Sequence, residues 1–155
     1  MRKTGRSAVK IEKKDLLICV GIILLTALFL WNFRIVRVDG NSMVPTLSDG
    51  QILLASAHVT ELQKDDIVVF QQEGQRCVKR IVAVSGDKVL LKDGIIYVNG
   101  TFLPHYEYRG EETTYTLQEG EFFVLGDNTV NSLDSRSFGP IKLEQIQFKY
   151  LFALF

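Results

Sequence analysis

The chain predicts an all-β body of short, mostly antiparallel strands, forming folded sheets or a partly open barrel, preceded by one N-terminal transmembrane helix. Three observations predict it. After Arg34 come successive runs of four to eight residues rich in Val and Ile, bounded by Gly, Asp or Ser. Asp93-Gly94 and Asn99-Gly100 are turn pairs of the kind that join antiparallel neighbours. The one long apolar stretch, Leu16 to Trp31, precedes all of these, and no long amphipathic helix period follows it. The 155 residues suffice for one domain with a sizeable core.

Taken in order, residues 1–15 read as a basic cytoplasmic tail. Arg2, Lys3, Arg6, Lys10, Lys13 and Lys14 face only Glu12 and Asp15 there. Residues 16–33 read as a transmembrane anchor. Leu16 to Trp31 is 16 uncharged residues, about 24 Å as a helix against a bilayer core of about 30 Å. Asn32 and Phe33 extend it, Lys13 and Lys14 snorkel at one end and Trp31 anchors the other. A buried core helix would show a polar face, and this run offers only Thr26. A cleaved secretory signal usually ends in a small-x-small site, whereas Phe29-Leu30-Trp31-Asn32-Phe33-Arg34 follows here. The positive-inside rule then keeps the N-terminus in the cytoplasm and exports residues 34–155: a single-pass protein of the cell membrane with an extracellular β domain.

That domain carries 12 basic and 16 acidic residues, a net −4, with no basic stripe, so nucleic acid is not an expected partner. Its strand candidates are Ile35 to Val38, Gln51 to Ala55, Ile67 to Phe70, Cys77 to Val84, Lys88 to Leu91, Ile95 to Val98 and Glu121 to Leu125. Lys92-Asp93-Gly94 and Asn99-Gly100 supply turns among them. Asn99-Gly100-Thr101 also matches a glycosylation acceptor, but the turn explains it more economically. Pro104 to Gly120 is polar and reads as a surface excursion. Cys19 lies in the proposed span and Cys77 in the body, so no disulfide is expected between them. No Cys/His spacing suits zinc, and neither a metal nor a cofactor is expected.

Two stretches could carry chemistry. Gly40-Asn41-Ser42-Met43-Val44-Pro45-Thr46-Leu47 sets a serine in a tight turn bounded by Gly and Pro. Cys77-Val78-Lys79-Arg80-Ile81-Val82 sets a lysine among apolar residues. Acyl transfer needs a nucleophile, a base that is neutral when it acts, and donors for the oxyanion. The two histidines, His58 and His105, both sit in polar stretches and read as solvated loop residues. A desolvated lysine supplies the base instead, because burial disfavours the ammonium form. A lone strand lysine usually points to solvent, and a Ser-Met pair is common. The polar loop from Gly126 to Gly139 raises the functional reading: Asp134 can pair with Arg136, Asp127 can join them, and Ser132 can orient a neighbour. An ordinary loop stabilised by Asx turns explains those residues equally well.

The chain resembles the type I signal peptidases, in their small, single-anchor bacterial form. The resemblance covers nearly the whole length and runs in order. Behind the anchor come Gly40 to Leu47 with Asp49-Gly50-Gln51-Ile52-Leu53, then Val78-Lys79-Arg80-Ile81-Val82 to Asp87, then Phe123-Val124-Leu125-Gly126-Asp127-Asn128 leading to Ser132-Leu133-Asp134-Ser135-Arg136. It implies a Ser-Lys protease fold with Ser42 as nucleophile and Lys79 as general base. Ser132 would orient the lysine, Met43 would line the pocket for the small side chain before the cut, and Asp127, Asp134 and Arg136 would form the network holding the loop. It also implies the partners: exported preproteins with cleavable signal peptides cut at small-x-small sites, the lipid bilayer, and a place near the translocation machinery. Two positions depart from the family pattern. Thr129 stands where the family often has arginine, and Gly40 stands where some members carry a serine that helps the oxyanion hole. Two rivals remain beside this reading: a self-cleaving repressor-type protease with the same Ser-Lys chemistry, and a catalytically silent anchored β module that only binds exported peptides.

Overall fold

A computed structural model describes residues 12–154. The chain divides into two compact units, with the boundary between Asn32 and Phe33. The first holds helix α1 (Lys13–Asn32), 20 residues long, which at 1.5 Å per residue is about 30 Å. It is long and apolar enough to cross a membrane. Leu17, Ile23 and Leu25 are each exposed by more than 60%, and none of the helix's residues is buried. Its polar side chains turn inward on the backbone: Thr26 Oγ1 donates to the Ile22 carbonyl at 2.8 Å and Asn32 Nδ2 to that of Leu28 at 2.7 Å. A helix in hydrocarbon must satisfy its polar groups in this way. The helix starts three residues before the apolar run, with Glu12 N donating to Asp15 Oδ2 at 3.1 Å across its first turn.

The second unit is built from strands, as the Val/Ile runs foretell. They are β1 (Phe33–Arg37), β2 (Ile52–Ser56), β3 (Ile67–Gln72), β4 (Gln75–Ala83), β5 (Lys88–Lys92), β6 (Ile95–Val98), β7 (Thr101–Glu107), β8 (Thr113–Thr116), β9 (Glu121–Leu125), β10 (Ile141–Lys142) and β11 (Ile146–Ala153). A short helix α2 (Ser135–Phe138) precedes β10, and one 3-10 turn, Leu143–Gln145, precedes β11. A seven-stranded sheet runs in the order β1-β2-β11-β3-β4-β9-β10 and a four-stranded sheet in the order β7-β6-β5-β8. The pairings in both are antiparallel. The fold is therefore the folded-sheet form of the all-β class.

The two-residue turns behave as their residues require. Asp93 and Gly94 have φ of 51° and 81°, Asn99 and Gly100 of 52° and 78°. The twist of antiparallel strands favours this left-handed pair, which Asn, Asp and Gly reach at least cost. β3 is apolar without alternation because both its faces are covered. Val68 and Phe70 pack with Ile81, Val124 and Ile141 on one side, while Ile67 and Val69 pack toward Met43, Leu53 and Ala55 on the other. A third cluster, including Val89, Leu91, Ile96 and Phe123, joins the small sheet to the ends of β4 and β9.

Two stretches of the chain depart from the sequence reading. Pro104 to Gly120 is not a mere surface excursion, because β7 and β8 form the two edges of the small sheet. An edge strand tolerates Pro104 and needs only one apolar face. Leu103, Tyr106 and Tyr115 supply that face, hidden among polar residues. β11 was absent from the predicted strands yet lies between β2 and β3, near the middle of the large sheet. Its start, Ile146-Gln147-Phe148-Lys149-Tyr150, does alternate, and two register shifts with its neighbours break the pattern.

Candidate active site

The serine turn hangs from the end of β1. Val38 N donates to the Gln51 carbonyl at 2.9 Å, Gly50 N to that of Val38 at 3.0 Å, and Gly40 N to Asp49 Oδ1 at 2.8 Å. Gly40 has φ +93°, a left-handed conformation that favours glycine there. Beyond it the chain coils tightly, with Leu47 N donating to the Met43 carbonyl at 2.9 Å and a cis peptide between Val44 and Pro45. Met43 and Leu47 are buried with Val38, Leu53 and Ile67. Those two anchors fix the turn and leave Ser42 at the surface of a cleft.

Lys79 approaches from β4. In the antiparallel register it lies opposite Val68 and shares a sheet face with Cys77 and Ile81. It is only 5% exposed. Its Nζ is 2.8 Å from Ser42 Oγ and donates to the Val78 carbonyl at 3.0 Å. Burial pushes the amine below its ordinary 10.5; electrostatic interaction with Cys77 and Asp134 opposes the shift, and Arg136 reinforces it. The outcome is an amine in contact with a hydroxyl and easier to deprotonate than a solvated lysine.

The third segment is the loop after β9. Asp134 is wholly buried and organises it. Its Oδ2 accepts from Gly126 N at 2.9 Å and from Arg136 Nη2 at 2.8 Å, and its Oδ1 accepts from Arg136 Nε at 2.8 Å. The same carboxylate caps α2, accepting from Arg136 N at 3.2 Å. Arg136 Nη1 in turn donates to the Glu107 carbonyl at 2.6 Å. Asn128 ties this loop to the serine turn: its N–H donates to the Ser42 carbonyl at 2.9 Å and its Nδ2 to the Asn41 carbonyl at 3.0 Å. A Cβ on Gly126 would collide with Ser132 Oγ and with the Ser42 carbonyl oxygen. Glycine therefore lets the two segments close on each other.

Asp127 does not join Asp134 and Arg136. It takes a fork from Arg80, with Nε to Oδ1 at 2.9 Å and Nη2 to Oδ2 at 2.6 Å. Burial pushes the Asp127 carboxyl up, but hydrogen bonds from Arg80 and from the Thr46 and Tyr106 hydroxyls outweigh it and hold it below the usual carboxylate range. Ser132 Oγ is buried and, among the described residues, has no hydrogen-bond partner, so no bond joins it to Lys79. Met43 lies wholly buried at the cleft's floor. The sequence reading missed Arg80 and Asn128. Arg80 signalled itself as a second cation directly after Lys79, on a strand where alternation sends it to the opposite face.

The cleft holds about 860 Å³. Ser42, Lys79, Met43, Leu133 and Phe138 line it, with the end of β1 and the start of β4; neither His58 nor His105 does. A serine hydroxyl against a buried amine that gives up its proton more readily than a solvated lysine, in a cleft of this volume, suits acyl transfer without histidine. The family model and the sequence relatives point to the same class. The family model for signal peptidase, peptidase S26, matches residues 13–155, and the chain belongs to that family. It is 35% identical over 149 residues to a signal peptidase I of Bacillus caldolyticus, covering 82% of each chain. It is 34% identical over 143 residues to signal peptidase I T of Bacillus subtilis strain 168, covering 80% of this chain and 73% of that one. A crystal structure of a signal peptidase I from Enterococcus faecalis V583 matches with a TM-score of 0.49 and 29% identity, over 61% of this chain and 100% of that one. Membership makes the chain an enzyme, a serine peptidase of the signal peptidase type.

Proposed function

We propose that this chain is a membrane-anchored endopeptidase that removes N-terminal signal peptides from exported preproteins at small-x-small sites, with Ser42 as nucleophile and Lys79 as general base. The observation that carries the mechanism is the 2.8 Å contact between Ser42 Oγ and a lysine Nζ that burial drives toward its neutral form. Neutral Lys79 takes the Ser42 proton as Oγ attacks the carbonyl carbon of the scissile bond. The oxyanion is met by the Ser42 backbone N–H. Lys79 then gives its proton to the departing amine, leaving the signal peptide esterified to Ser42. Water, deprotonated by the same lysine, attacks the ester, and Ser42 recovers its proton as the carboxylate leaves.

Substrate placement follows from the sheet. β4 pairs with β9 only through Arg80–Ala83, so the edge of Gln75–Lys79 on that side borders the cleft. An extended peptide laid there is read through its backbone. Met43 shapes the pocket for the small residue before the cut, and Asp127, Asp134 and Arg136 hold the loop, while the orientation of Lys79 comes from its bond to the Val78 carbonyl. α1 anchors the enzyme beside the translocation machinery and the bilayer in which its substrates' signal segments lie.

The function is tested by incubating purified chain in detergent with a model preprotein carrying alanine at the small positions before the cut. Cleavage at that site, lost in Ser42→Ala, is the expected result; cleavage that persists in Ser42→Ala overturns the assignment. The orientation has its own test. Six basic residues precede Leu16, which keeps the N-terminus inside and everything after Arg34 outside. Protease added to intact spheroplasts should therefore digest the β domain, and full protection would reverse the topology.

A further inference from the structure

We propose that strand β7 of the small sheet sets the geometry of the dyad, with Tyr106 as the positioning residue. The inference rests on the reading of Ser42 and Lys79 given above. Two consecutive residues of β7 reach the loop that follows β9. Tyr106 Oη donates to Asp127 Oδ1 at 3.4 Å, and the Glu107 carbonyl accepts from Arg136 Nη1 at 2.6 Å.

Asp127 is where this contact acquires leverage. Its carboxylate binds the Arg80 fork, and Arg80 is the residue directly after Lys79 on β4. The residue directly after Asp127 is Asn128, which holds the carbonyls of Asn41 and Ser42. The segments carrying nucleophile and base are thus both tied to one carboxylate. Tyr106 packs its ring against the small-sheet core and places its hydroxyl on one of that carboxylate's two oxygens. Burial, with the negative charge of Asp127, pushes the Tyr106 hydroxyl up to about 12. It therefore stays a protonated donor throughout the range in which Lys79 titrates. β7 makes none of the large sheet's pairings, so these ties couple the small sheet to the catalytic loop across the sheet boundary.

Tyr106→Phe removes one oxygen and keeps the ring in the core. A contact of 3.4 Å is long, so the loss of one such hydrogen bond should lower kcat by about three- to tenfold and leave KM within about twofold. The loss should vanish when Tyr106→Phe is added to Asp127→Asn, because both act through one carboxylate. A Tyr106 that served only to fill the core would show a lowered melting temperature with kcat retained, or losses that multiply with Asp127→Asn; either outcome overturns the proposal. The underlying reading fails separately. Activity surviving in Ser42→Ala removes the dyad, whereas an unchanged kcat in Tyr106→Phe beside an inactive Ser42→Ala removes only the role of β7.

Discussion

Replacing Lys79 by alanine or by arginine is expected to lower kcat by at least about 10³-fold, the scale set by losing a general base that also activates the nucleophile. Arginine fails as completely as alanine because its guanidinium stays protonated and accepts no proton from Ser42. The pair acts as one unit, so the Ser42→Ala, Lys79→Ala double variant should be no slower than either single variant. A double variant much slower than both would mean that the residues contribute independently, and the 2.8 Å contact would lose its mechanistic meaning.

The same lysine fixes the pH dependence. Burial lowers the folded amine below 10.5, and the reactive form is neutral, so activity should rise with pH through one ionisation lying below that value. His58→Gln with His105→Gln should leave this acidic limb in place, and a limb that moves with the histidines would transfer the base to one of them. Stability has a linked sign. Between the lowered folded pKa and 10.5 the unfolded chain still holds a proton that the folded chain has released, so the unfolding free energy rises with pH across that window. Lys79→Met should remove this rise while abolishing activity. A denaturant titration at several pH values measures it.

Legibility from sequence follows the range of the interactions. Turns and buried strands were readable because their causes are local. Asp93-Gly94 and Asn99-Gly100 adopt the left-handed pair that their residues favour, and Ile67–Phe70 is apolar because both of its faces are covered. β7, β8 and β11 escaped notice for the opposite reason. An edge strand such as Thr113–Thr116 is polar on its open face, and β11 carries register shifts that spoil its alternation. In the site, the residue types of Ser42 and Lys79 suggested the chemistry, but nothing local states that residues 37 apart in sequence meet. Whether Asp127 would pair with Arg136 or with Arg80 depends on the path of the loop after β9, which no local spacing encodes.

Asp134→Ala is expected to destabilise the β domain more than any other single change in its polar network. The side chain is fully buried, and that of its partner Arg136 is only 10% exposed. Truncation strands the guanidinium and the Gly126 N–H together. Removing one member of a buried pair typically costs about 3–5 kcal/mol, a large share of the roughly 5–15 kcal/mol that holds a domain folded. Arg109 and Glu107 provide the contrast: they lie 3.6 Å apart with side chains 86% and 66% exposed, and such surface pairs contribute at most about 1 kcal/mol. Arg109→Ala should therefore leave the denaturant midpoint nearly in place while Asp134→Ala shifts it far down. Asp134→Asn should fall between them, since the amide oxygen still accepts from Gly126 but no longer neutralises Arg136. Activity should follow the same order, because Gly126 stands two residues before Asn128 and its hold on the Ser42 carbonyl. An Asp134→Ala protein with an unchanged midpoint would mean that water reaches Arg136 as the loop relaxes, and that the loop's order comes from elsewhere.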